Sequence, residues 1–215
     1  MILSGFLFLF ILVLVFVMSG LGYLMEKDDY DSDSDLKKIN NNPKKFKISL
    51  ILALIHNGSV IALTILLFWA FNSYNLILGI VLVIFRIGEG LILYLNDSHY
   101  WGFLNIARKY SVSNSSEKNY LSDLARSVFK TKDYRFKLAM VCWSIGTLAF
   151  SIVLVTSGVV SVIIGWLGIV ASIIVFLTNS IKLAKQNFKV PPFTALFPIL
   201  FEIIIGGLLL FSPSL

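Results

Sequence analysis

The chain has 215 residues, 57% of them hydrophobic and 14% charged, with a mean hydropathy of +0.86 and a formal net charge of +6. A soluble domain carries about a quarter charged residues, so this composition excludes one and indicates an integral membrane protein. A single cysteine, Cys142, excludes an internal disulfide framework, and two histidines, His56 and His99, cannot build a multi-ligand metal cluster, so no metal or cofactor is expected.

Apolar runs long enough to cross a hydrocarbon core of about 30 Å lie at 3–25, 48–71, 76–95, 138–157, 160–181 and 192–211. They predict an all-α bundle of six transmembrane helices forming a single integral membrane domain, 1–215. The first run has no basic leader and is longer than the apolar stretch of a signal peptide, so it reads as a span. It has almost nothing polar in its centre and is expected at the periphery.

The loop at 26–47 carries an acidic block followed by a basic one. "DYDSDSD" resembles the opening of a calcium loop, but counting from Asp29 puts Ser34 where the turn glycine belongs and Asn40 where the bidentate glutamate belongs. A solvated, flexible linker is expected instead. In the loop at 96–137, Tyr100, Phe103, Leu104 and Ala107 recur at helical spacing, as do Tyr120, Leu121, Leu124 and Val128. Two short helices lying in the headgroup plane are predicted, the second capped by Ser115 or Ser116.

The loops at 26–47, 96–137 and 182–191 hold six, eight and three of the 18 basic residues, and the opposite side holds none. Cytoplasmic loops collect Lys and Arg, so an orientation with both termini outside is predicted, in the plasma membrane. Trp69 and Trp166 then fall near the outer boundary and Trp101 near the inner one. The basic cytoplasmic face is expected to meet anionic headgroups; nothing points to nucleic acid, and the oligomeric state is not legible.

The third span, "LVIFRIGEGLILYL", carries the eighteenth basic residue, Arg86, with Glu89 three residues on and so on the same helical face. Arg86 lies about 15 Å in from the outer end of its span, Glu202 about 15 Å in from the inner end of the sixth, and His56, with Asn57 beside it, about 12 Å in along the second. Buried charge must be paired, so Arg86, Glu89, Glu202, His56 and Asn57 are expected to form one ligand or proton cluster, packing spans two, three and six together. One arginine against two glutamates leaves one excess negative charge, which a proton must balance. Gly79, Gly90, Gly165, Gly168 and Gly206 mark close helix approaches. Ser144, Thr147 and Ser151 on the fourth span read as packing, because such hydroxyls bond to their own helix.

"FRIGEGLILYLN", "SGVVSVIIGWLGIVAS" and "PILFEIIIGGLLL" resemble segments of the domain of unknown function four-three-eight-six family, small prokaryotic six-span membrane proteins. The resemblance implies that Arg86, Glu89, Gly165, Trp166, Gly168 and Glu202 occupy that family's characteristic positions. A Pro-Arg pair common before the tryptophan of the fifth span is absent here. The resemblance implies no activity.

No Asp or Lys lies within a span, which excludes an aspartyl intramembrane protease and a Ser-Lys dyad; a phosphate-cradling glycine loop is also missing. Three readings follow. The first, which is preferred, is a non-enzymatic protein binding or transporting a small ligand or proton through the cluster. The second is a structural or sensory protein acting through its basic cytoplasmic loops, and the third a lipid-acting enzyme with Glu202 or His56 as general base.

Overall fold

The computed structural model describes residues 1–23, 30–185, 188 and 190–211. The described residues are helical and contain no strand. Six helices are long and apolar enough to cross a membrane. They are α1 (Ile2–Gly20), α3 (Pro43–Phe71), α4 (Leu76–Tyr100), the apolar half of α6 (Ser115–Ser157), α7 (Val162–Ala184) and α8 (Leu196–Phe211). A single 3₁₀ turn, Pro192–Ala195, leads into α8.

Local chemistry sets the helix ends. Asn42, Asn75 and Asn114 each accept a hydrogen bond from the backbone N–H three residues on, capping α3, α4 and α6, and Pro43 occupies the first turn of α3. Gly158 closes α6 in the left-handed region, at φ +69°, where a side chain would be strained. The short turns after α3 and α6 make α3–α4 and α6–α7 antiparallel hairpins.

Each span packs mainly on two others, in the closed ring α1, α3, α4, α6, α7, α8 and back to α1. The core inside it draws on every span, with Phe8, Leu63, Leu82, Phe150, Ala171 and Phe201 among its members. The first span is therefore not peripheral. Gly5 lets it approach the α8 backbone near Gly206 and Leu210, so a glycine rather than a polar group makes this contact.

Two expectations for the charged loops need correction. The linker after the first span contains a helix, α2 (Ser32–Asn41), with Ser32, Asp35, Leu36 and Ile39 buried. Asp31 caps it, Asp33 and Asp35 sit in its first turn and Lys38 in its last, so the acid-then-base pattern follows the helix dipole. The second amphipathic segment is no separate helix in the headgroup plane; it is the start of α6, 43 residues running unbroken into the fourth span. Neither Gly nor Pro occurs between 115 and 145 to interrupt it. At about 1.5 Å per residue α6 is roughly 65 Å long, twice the hydrocarbon thickness. Its cap is Asn114, not Ser115 or Ser116, and its buried face is Leu121, Ala125 and Phe129, while Tyr120 is 67% exposed. Together with α5 (Phe103–Val112) and α2, this half of α6 builds a second core at one end of the ring, around Leu36, Phe46, Tyr100, Phe103 and Phe129.

Candidate functional site

Arg86 and Glu89 lie on the buried stripe of α4 and are 4% and 2% exposed. Arg86 Nη1 donates to Glu89 Oε2 at 2.7 Å, a charge-assisted bond within one helix face. The long arginine side chain fits because α6 presents Gly146 against it: a Cβ there would fall 2.6 Å from Arg86 Cγ. Its guanidinium also stands 5.9 Å from the Trp143 ring.

Glu202 is reached differently from the expectation. The sixth span neighbours α1 and α7 in the ring rather than α3 and α4, so spans two, three and six do not pack together as a trio. Trp143, from the fourth span, donates its indole N–H to Glu202 Oε1 at 3.2 Å and bridges the gap. Arg86, Glu202 and Thr147 then line a cavity of about 10 Å³ walled by Phe8, Leu67, Leu82, Phe150 and Phe201. That is room for about one water, with three polar groups to hold it.

His56 is half-buried, and its Nδ1 lies 3.0 Å from Asn57 Oδ1. Asn57 in turn donates from Nδ2 to Asp97 Oδ2 at 2.8 Å. Asn57 thus bonds directly to the C-terminal end of α4 and His56 reaches it only through Asn57; neither makes a direct hydrogen bond to the Arg86–Glu89 pair.

The glycines sit at helix crossings. A Cβ on Gly79 would meet the Phe68 ring at 3.2 Å, and one on Gly90 would meet Ile61 Cγ1 at 2.8 Å, both between α3 and α4. Gly165 lies on Val155 and the Ser151 carbonyl, Gly168 on Ser151 Oγ and Phe201, and Gly206 on Phe8 Cβ. Ser144 and Ser151 donate to carbonyls of their own helix, at 2.7 Å each.

The family model described as Domain of unknown function (DUF4386) matches residues 3–212. The chain belongs to this family. No curated protein and no solved structure matches it. The DUF4386 chain is thus a membrane protein of a family without assigned function, built as a six-span helical bundle.

Sequence reasoning passed over a second polar network in this DUF4386 protein, beneath the cap that α2, α5 and the first half of α6 form at one end of the ring. Asp97, 2% exposed, accepts from the Tyr23 hydroxyl as well as from Asn57. Lys132 on α6, also 2% exposed, places its ammonium 4.3 Å from the Tyr23 ring and 4.6 Å from that of Tyr100, and its carbonyl accepts from Asn96 at 3.1 Å. Burial lowers the Lys132 ammonium to about 8, against the upward pull of Asp97 and Asp133. Asn96, Asp97 and Tyr100 continue the stripe of Arg86, Glu89 and Leu93, and that periodicity was the available signal. A span boundary drawn at 95 assigned them to a loop.

Proposed function

We propose that this protein binds and relays a proton, carried by water, through its buried polar groups. The reading rests on one observation: Arg86, Glu202 and Thr147 are the polar lining of a cavity with room for about one water, while Glu89 is bonded to the same arginine. Two carboxylates and one guanidinium sum to one negative charge, which in a low-dielectric interior favours uptake of a proton. The cavity volume selects a proton or water over a larger solute. From Asp97 through Asn57 to His56, hydrogen-bonded groups lead from the cap into the bundle beside α4 and form the cytoplasmic approach. The protein acts by binding and relay rather than catalysis, in the plasma membrane, with both termini outside.

The test is proton flux in proteoliposomes carrying a trapped pH indicator, with an imposed potential. Wild type should acidify the lumen above empty vesicles, and Glu202→Gln should reduce flux at least tenfold while eluting as a folded protein. Wild-type flux equal to that of empty vesicles refutes the relay.

A second reading, a sensory or structural role, is favoured by the cap, where α2, α5 and α6 pack with the ends of α1, α3 and α4 around a core distinct from the one inside the ring. Recovery of one specific protein by crosslinking through exposed cap positions such as Tyr120, together with absent flux, would select it.

A further inference from the structure

Between the inner end of α4 and the middle of α6 lies a pocket of about 210 Å³, lined among others by Asn96, His99, Ser127, Thr131, Lys132 and Arg135. Three of these side chains are cationic or can become so, and no residue of the wall is acidic. Of the two acids near Lys132, Asp133 pairs with Lys137 at 2.6 Å and Asp97 accepts from Tyr23 and Asn57, and neither lines the pocket.

Arg135 is the unusual member. Among the described residues it makes no ion pair, and the side-chain contact it makes within hydrogen-bond distance is to His99 Nδ1, at 3.4 Å. That nitrogen lies 2.7 Å from the Leu95 carbonyl, so it carries the hydrogen and donates it there. It cannot also accept from Arg135. The guanidinium therefore faces a pocket with its planar fork of donors not taken up by a carboxylate. Ser127 adds an exposed hydroxyl on the same wall.

The pocket's height identifies what it meets. His99 follows the apolar stretch of α4 by four residues and Arg135 precedes that of α6 by three. At about 1.5 Å per residue both lie within roughly 6 Å of the hydrocarbon edge, in the layer of headgroup phosphates. A pocket of 210 Å³ is smaller than sites for drug-sized ligands, and a phosphoryl group fits it.

We propose that this pocket is a phosphate site at the membrane edge, in which Arg135 grips the phosphoryl oxygens of an anionic lipid headgroup or a free phosphate. The site is independent of the proton relay and stands or falls separately. Its guanidinium makes two parallel bonds to a phosphate, which an ammonium cannot reproduce.

The experiment compares wild type, Arg135→Gln and Lys130→Gln, the last an exposed cation outside the pocket whose loss changes net charge equally. Lipid retention is read by native mass spectrometry with phosphatidylglycerol against phosphatidylcholine, and thermal shift is read separately with millimolar inorganic phosphate. Wild type and Lys130→Gln should hold phosphatidylglycerol about tenfold more tightly than Arg135→Gln does, the worth of a charge-assisted bond. An Arg135-dependent shift with inorganic phosphate alone places a free phosphate in the same site. Indistinguishable behaviour of wild type and Arg135→Gln in both arms, with equal melting temperatures before any addition, overturns the proposal.

Discussion

Replacing Arg86 with leucine removes the cation and leaves Glu89, 2% exposed, without its 2.7 Å partner. Leucine retains a γ-carbon where Arg86 Cγ rests against Gly146, so little packing is lost and the cost falls on the uncompensated carboxylate. Breaking one side of a buried pair costs about 3 to 5 kcal/mol, whereas exchanging both partners for apolar groups of similar volume is often neutral. Arg86→Leu combined with Glu89→Leu should therefore recover the part of the loss that belongs to this pair, a coupling of about 3 kcal/mol, several times the roughly 0.5 kcal/mol scatter of independent sites, while Glu202, on the same cavity as Arg86, still lacks a cation. Trp143→Phe removes a neutral donor at 3.2 Å from Glu202 and should cost about 1 to 3 kcal/mol, since a partly buried carboxylate loses its partner. The assay is reversible denaturation in mixed micelles followed by far-ultraviolet circular dichroism, with free energies from linear extrapolation. If the double variant is as destabilised as Arg86→Leu alone, the two charges do not stabilise one another and the pairing argument is wrong.

Gly168→Ala should destabilise by about 1 to 3 kcal/mol in the same assay, because its Cβ would collide with Ser151 Oγ and the Phe201 ring; Gly88→Ala, with nothing within 4 Å, should be harmless. Lys132 sits near 8 in the folded protein and near 10.5 unfolded, so between those values the unfolded chain holds more protons and stability rises with pH. A thermal-shift series should show that rise from pH 8 to 10, by at most about 1.4 kcal/mol per unit, and Lys132→Met should flatten it; an equal slope in both proteins removes Lys132 as its source. Cysteine at Asn75 should react with an impermeant maleimide from outside intact cells and cysteine at Ser111 should not; the reverse pattern inverts the orientation.

Composition and periodicity determined the class of this protein. Six long apolar runs can only satisfy their backbone inside hydrocarbon as helices, and the stripe of α4 alone announces that Arg86 and Glu89 face inward as a pair. The acid-then-base run of α2 was equally local and legible, but its two apolar residues, Leu36 and Ile39, are too few to announce burial without the α5 and α6 surfaces that cover them. Depth along each span could be counted, and it set Glu202 near the level of Arg86. Depth says nothing about azimuth or neighbour, and the ring order is decided by which helix faces fit: Gly146 against Arg86, Gly5 against α8, Gly168 against Phe201. That order puts Trp143 between Glu202 and the arginine, and joins Asn57 to Asp97 across forty residues of chain. Such contacts come from pairwise packing of side chains distant in sequence, to which a one-dimensional hydrophobic pattern is blind, so only the tertiary structure could supply them.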